Sequence, residues 1–407
     1  MIELEHSPLG GSAAHRFINC GFSFLEHRRQ LAAKDFENIT SEYADRGTGA
    51  HELGAMCLQE CTEPYEHIGE EFNGFLVGWP DGIALDAVSI YVNHCRALMA
   101  ANPESDVMIE NTITLPHIHP LLKGTVDFGM ATARGVHLVD YKNGEGIGVP
   151  APNNEQLLYY AFLLIMSDAW LRDPAQWDLP AELTIIQPNF YGLFEGPETW
   201  ITTIGDVIEW GQTILLPAMN ALMSAPLEAR PEATAGNWCQ FCPVLLSCPK
   251  MQEAYTLYAD APEEYEVIML SNAELDGYYA GRENARRFMK VLETTVQHRL
   301  VSGGDFESAK LVEKKVARVW APGAQAALEK AFGPAAYAPK EIKSPAAIEK
   351  MSTQGKELAK EFGYKPASTG LSVAPLSDPR PAAKPRTNAS VFARHIPEEK
   401  AVDTEGF

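Results

Sequence analysis

No run of about eighteen apolar residues occurs in this chain, so the sequence offers no candidate for a membrane-spanning helix. The longest apolar stretch, 159–166, falls far short of a bilayer crossing. The opening residues Met1, Ile2, Glu3, Leu4, Glu5 and His6 are acidic and lack the basic-then-apolar pattern of a secretory leader, so a cytoplasmic protein with no membrane partner is expected. Cysteine is sparse. Seven cysteines in 407 residues do not make a disulfide scaffold and read as free thiols or metal ligands. No internal repeat is present, which sets aside solenoids and propellers. Positive charge is scarce as well: 33 Lys and Arg face 54 Asp and Glu, for a net charge of −21. The deficit is uneven, with 12 basic against 32 acidic residues in 1–250 and 21 against 22 in 251–407. Such a surface repels phosphate backbones and argues against a stand-alone, high-affinity nucleic-acid binder. It leaves open a site at which metal ions supply the positive charge.

What is present is core-forming material. At 46% hydrophobic residues the chain can bury a sizeable core. The pattern predicts a helix over 10–30 with Ser12 as its N-cap, a second after Gly47 running toward Cys61, and a third over 82–101. Three strands follow, at 107–115, 124–131 and 136–142, each short, β-branched and bounded by turn residues. An apolar helix over 154–168, a strand over 183–187 stopped by Pro188, and a helix over 206–224 complete this part. The order, helices then β-β-β-α-β then helix, predicts an α/β core with a mixed sheet. Beyond it, 272–299 reads as a long polar helix, 308–320 as a strand, and 322–332 and 344–362 as short helices. From Lys365 the chain is rich in Pro, Ala, Ser and Lys and is expected to be disordered. The domain reading is therefore 1–250, a smaller α+β extension over 251–364, and a tail over 365–407.

The chemistry concentrates in Gly124-Thr125-Val126-Asp127, Asp140-Tyr141-Lys142 and Gln156-Leu157-Leu158-Tyr159-Tyr160. Carboxylates on neighbouring strands cost free energy when desolvated unless positive charge stands between them. Simple alternation puts Asp127 on a face with Thr125 and Gly129, opposite Val126 and Phe128, and puts Asp140 with Lys142 and against Tyr141. A tight turn at Ala133, Arg134 and Gly135 would bring Asp127 beside Asp140. Two carboxylates and a carbonyl make an oxygen site suited to Mg²⁺ or Mn²⁺. Lys142 beside it is placed to orient or deprotonate a water. A solvated surface hairpin is the plain alternative for a lone Asp-x-Lys. His51, after Arg46-Gly47-Thr48-Gly49, completes the metal sphere or is a hydrogen-bonded core histidine. Gln156 and Tyr160 share a helix face, reaching substrate or, for Tyr160, packing in the core. Glu110 on the preceding strand is a further acidic candidate, ranked below Asp127 and Asp140.

In that order, His51, Gly-x-x-Asp127, Asp140-x-Lys142 and Gln156-x-x-x-Tyr160 resemble the RecB-like branch of the PD-(D/E)XK nuclease superfamily, over about residues 7–250. The resemblance implies a restriction-endonuclease-like core and metal-dependent hydrolysis of DNA phosphodiesters. His51, Asp127 and Asp140 would be Mg²⁺ or Mn²⁺ ligands, Lys142 the catalytic lysine, and Gln156 and Tyr160 supports of the site and the DNA strand. Cys239, Cys242 and Cys248 form C-x₂-C-x₅-C, a metal-ligand pattern lacking a fourth member. Cys20, in a segment similar to the N-terminal single-cysteine helix of iron–sulfur RecB-like nucleases, would supply it. A 4Fe–4S cluster would then staple the two ends of the nuclease domain; zinc is the alternative occupant. Cys57, Cys61 and Cys95 read as helical, with Cys57 and Cys61 sharing a core face.

Arg282, Arg286 and Arg287, and Lys310, Lys314, Lys315 and Arg318, read either as guides for a substrate strand or as a solvated face. The expectation is a DNA exonuclease of phage or prophage recombination or replication, with a single-strand binding protein or recombinase as partner. The competing readings are a non-catalytic nucleic-acid-binding or scaffold subunit, and a zinc-stabilised adaptor with an acidic docking surface.

Overall fold

The computed structural model describes residues 7–33, 42–79, 82–146, 148–190, 194, 196–259, 270–310 and 360. The chain divides into two compact units, Met1–Val316 and Ala317–Phe407. The helices expected over 322–332 and 344–362 (Lys360 apart), the tail from Lys365, and most of the strand expected over 308–320 lie outside the described residues. The described 308–310 form no strand.

The N-terminal segment folds as two helices rather than one, α1 (Gly11–Asn19) and α2 (Gly21–Ala33). Between them Cys20 takes an extended backbone conformation, while its N–H still bonds to the carbonyl of Arg16 at 2.8 Å. Ser12 is not the cap: Gly10 holds that position and makes no side-chain cap bond. Helix α3 (Glu42–Glu60) starts upstream of the glycines thought to precede it. Gly49 lies within this helix with its bare Cα against the Phe72 carbonyl, where a Cβ would come within 2.5 Å of the oxygen, so the close approach requires glycine. Past the end of α3, Cys61 is exposed with φ 58°, so it does not share the core position of Cys57. A short hairpin, β1 (Glu71–Phe72) and β2 (Phe75–Leu76), then leads to α4 (Leu85–Ala101).

The central sheet has five strands: β3 (Asp106–Thr114), β4 (Lys123–Thr132), β5 (Gly135–Tyr141), β6 (Pro180–Ile186) and β7 (Glu198–Thr203), in that order. Neighbours are antiparallel except β5 and β6. That parallel pair needs a crossover, and α5 (Glu155–Ser167) supplies it. The expected mixed α/β sheet is thus present, with β7 as an additional edge strand. After β7, α6 (Ile204–Trp210) runs through a π-turn at Gly211–Leu215 into α7 (Leu216–Ser224).

Helices cover both faces. On one face α5 packs with α1, α2, α6 and α7 around Phe17, Leu157, Phe162, Leu183 and Val207. The nearly uniform apolar character of α5 follows from burial on both sides, by the sheet and by its helical neighbours. On the other face α3 and α4 pack on Phe128, Met130, Val139 and Tyr141. A third cluster joins Cys20 and Phe22 to Cys239, Cys248 and Met251. Helices α8 (Pro249–Ala259) and α9 (Asn272–Val301) close over it, with Phe288 stacked on Tyr255 at 4.8 Å.

Candidate active site

The strand face pattern breaks at one level of the sheet, and the candidate site lies there. In β3 and β4, Ile109 pairs with Phe128 and Asn111 with Val126, but Glu110 and Asp127 between them do not pair. Glu110 has φ 45°, a left-handed conformation that costs a non-glycine residue about 1–3 kcal/mol. Alternation slips across this rung. Val126 enters the α5 core, whereas Phe128 enters the α3–α4 core. This corrects the expectation that Val126 and Phe128 share a face. Asp140 stands one rung beyond the Val139–Phe128 pair, so Glu110, Asp127 and Asp140 fall in one row across three strands.

Each layer contributes to that row. From α3, Nδ1 of His51 lies 3.2 Å from Oε1 of Glu110 and 3.5 Å from Oδ2 of Asp127. The same Asp127 oxygen accepts the main-chain N–H of Tyr141 at 2.8 Å, and the Asp127 carbonyl accepts the Tyr91 hydroxyl at 3.2 Å. Tyr91 and Tyr141 stack at 5.0 Å beneath His51. From α5, Nε2 of Gln156 donates to Oδ1 of Asp140 at 3.0 Å, and its Oε1 accepts from Nζ of Lys142 at 3.1 Å. Nζ also lies 2.8 Å from Oδ2 of Asp140. This charge-assisted contact is the one partner that the buried Oδ2 has among the described residues. Asn154 caps α5 by accepting the N–H groups of Gln156 and Leu157, which fixes the turn that carries Gln156. Tyr160, one turn on, places its hydroxyl beside Gln156 and packs its ring over Gly11 and Gly124.

The electrostatics follow from burial. Desolvation alone would depress His51, but Asp127 and Glu110 outweigh it and hold the imidazole up to about 9. Burial raises Asp127 and Asp140 above ordinary carboxylates, opposed for Asp127 by His51 and for Asp140 by Lys142. Among the described residues, the ligand atoms of His51, Glu110 and Asp127 all lie within 4.8 Å of one another and could hold a metal ion. One imidazole with two carboxylates suits Mn²⁺ or Mg²⁺. Asp140 lies outside this group, and its Oδ2 is held by Lys142. Glu110, ranked below the aspartates from sequence, is therefore a full member; the available signal was an acid one strand before Gly-x-x-Asp.

The four cysteines named from sequence also converge. Cys20, Cys239, Cys242 and Cys248 line one narrow cavity together with Arg16. Between the two places stands His15, whose Nδ1 lies 3.0 Å from Oε2 of Glu155 and whose Nε2 lies 3.0 Å from Oδ1 of Asn237. The basic residues of α9 have local partners: Arg286 pairs with Glu283, Arg282 covers the Tyr279 ring at 3.6 Å, and Arg287 donates to the Gly236 carbonyl at 2.8 Å. Lys314, Lys315 and Arg318 lie outside the described residues.

A family model described as "Protein of unknown function (DUF2800)" matches residues 6–381. The chain belongs to the DUF2800 family. No solved structure matches it. Among the described residues of this DUF2800 protein, no helix is long and apolar enough to cross a membrane.

Proposed function

We propose that this DUF2800 protein is a metal-dependent DNA nuclease of the RecB-like type, acting as an exonuclease in phage or prophage recombination or replication. The observation that carries the reading is the meeting of two groups at the end of β5: the His51–Glu110–Asp127 triad and the Asp140–Lys142–Gln156 network. A decayed site would have no reason to retain a lysine bridging a buried aspartate and a capped glutamine, which weighs against a non-catalytic subunit.

His51, Glu110 and Asp127 would hold Mg²⁺ or Mn²⁺, with Asp140 beside them. The ion, when bound, supplies a Lewis acid that lowers the pKa of water and offsets charge on a phosphate. The residues do the rest. Lys142, held by Asp140 and Gln156, positions an attacking water and takes part in its proton transfer. Tyr141 N–H and Tyr91 fix Asp127 at its side-chain and main-chain oxygens. Gln156 and Tyr160 face the same space and are the candidate contacts for the DNA strand. The acidic balance of 1–250 makes divalent cation a requirement for binding as well as for chemistry.

The cysteine cavity is read as a second, structural metal site. Four cysteines from two distant segments meet there with no competing carboxylate in the lining, a thiol set that suits an iron–sulfur cluster, with zinc as the alternative occupant.

The decisive experiment is digestion of end-labelled single- and double-stranded DNA with Mg²⁺, Mn²⁺ or EDTA. Release of short products that stops in EDTA and returns with Mn²⁺ is expected. Undiminished cutting in chelator, or intact DNA under all metal conditions, would remove the reading.

A further inference from the structure

Arg16 occupies an unusual position for a cation in a chain so rich in acids. It lines the cavity of the four cysteines, and Nη1 donates to the Phe241 carbonyl at 3.0 Å, inside the Cys239–Cys242 turn. Its own carbonyl receives the Cys20 N–H at 2.8 Å, so the residue is tied to both halves of the cysteine set. Among the described residues, no carboxylate stands within ion-pair distance of its guanidinium. By contrast, Arg29 on α2 pairs with Glu26. A half-buried guanidinium whose charged surroundings are thiols is costly while those thiols are neutral. Burial pulls its pKa below the ordinary arginine value, and only Cys242 and Cys20 act in the opposite sense.

We propose that Arg16 is the counter-ion of an anionic, thiolate-held metal group in this cavity, and the positioning residue that sets how tightly and at what potential the group is kept. Four thiolates around a zinc ion, or around an iron–sulfur cluster, leave net negative charge at the site. Arg16 faces that charge from α1 and compensates it on the Cys20 and Cys242 side, while Arg287 of α9 acts on Cys239, and the bond from Arg16 to Phe241 holds the Cys239–Cys242 turn in place. The inference rests on the reading of the cysteines as a metal site and is independent of the nuclease reading.

The test uses the full chain, purified without air, as wild type, Arg16→Gln and Arg16→Lys. Iron, sulfide and zinc contents and the visible spectrum identify the occupant, and its rate of loss to a chelator is then followed. Arg16→Gln is expected to lose the group about tenfold faster, as removal of a supporting contact around a metal site does, and Arg16→Lys to stay near wild type. If the occupant is iron–sulfur, its midpoint potential should fall in Arg16→Gln, because the lost cation favoured the more negative reduced state. Three results would overturn the proposal: equal retention in Arg16→Gln and wild type, Arg16→Lys failing as badly as Arg16→Gln, or wild type carrying no metal on these cysteines. Circular dichroism separates misfolding from metal loss, and Arg16→Met, which keeps the aliphatic stem, replaces the glutamine variant if that one does not fold. No readout involves DNA cleavage, so a failed nuclease assay leaves this test intact.

Discussion

Lys142 bridges Asp140 and Gln156, and that arrangement decides what its removal does. On the proposed nuclease reading, Lys142→Ala deletes the group assigned to proton transfer and should lower cleavage by about 10²–10⁴-fold, read in a gel assay of end-labelled DNA. Its loss also leaves Asp140 buried without a counter-charge, so the carboxyl should protonate at higher pH than in wild type, visible by NMR. Cleavage at the wild-type rate would exclude the lysine from the mechanism. His51 makes a different prediction. Its folded-state pKa, about 9, lies above the ordinary 6.5, so its protonated form stabilises the metal-free protein. That contribution is complete below pH 6.5 and disappears as pH rises through about 9. Melting temperature without metal should fall across this window, and His51→Gln should flatten the slope. Metal needs the neutral imidazole, so Mn²⁺ affinity should rise about tenfold per pH unit within the same window; a calorimetric titration with no pH dependence would exclude His51 as a ligand. At this scale the sequence was readable where local rules hold. Asp140 and Lys142 share a face through period two, and Gln156 meets them because helical spacing and the Asn154 cap aim it there. For Glu110 the sequence offers only an acid one strand before Gly-x-x-Asp, and its left-handed backbone, φ 45°, does not follow from period-two alternation.

Elements were legible where their periodicity is long and clean, as in α4, α5 and α9, and less so where one residue decides. The N-terminal segment splits at Asn19-Cys20-Gly21, three residues of low helix propensity set between two helix-forming stretches, a local break that the overall apolar pattern hides. Strand β7, Glu198–Thr203, is short and largely exposed, so alternation gives no signal, and it is held by its pairing with β6. Helix α6 and its continuation illustrate close approach. A Cβ on Gly211 would come within 2.2 Å of the Phe162 ring, whereas one on Gly47 meets nothing within 4 Å. Gly211→Ala should therefore destabilise by about 1–3 kcal/mol through overpacking against α5. Gly47→Ala, on α3, should stabilise by about 0.4–1 kcal/mol. Urea titrations of the two variants decide the matter; equal effects would mean that the α5–α6 contact is looser than described.

Across the whole molecule, the cysteine cavity gathers segments from both ends of the sheet-bearing unit, and α8 and α9 pack over it. Breaking that centre should cost more in folding than in chemistry. Cys242→Ser is expected to melt at lower temperature by circular dichroism while keeping its cleavage rate per folded molecule. An unchanged melting curve would remove the structural role. The mixed sheet and the set Cys239, Cys242 and Cys248 are recoverable from sequence, because strand order and C-x₂-C-x₅-C spacing are local patterns, whereas Cys20 enters only through the resemblance to iron–sulfur RecB-like nucleases. The slip at Glu110 and Asp127 was not, because it exists only once β3 and β4 are side by side.

The bond between His15 and Asn237 spans 222 positions. At about 5–20 residues per second, a ribosome needs some tens of seconds to make the second after the first. During that interval β3, β4, β5 and α5 are all synthesised, while the first helix waits without the loop it will grip. The nascent protein therefore carries every acidic side chain of its candidate site well before Cys239, Cys242 and Cys248 emerge, and a group held by all four cysteines could be sealed in only after translation has passed that loop.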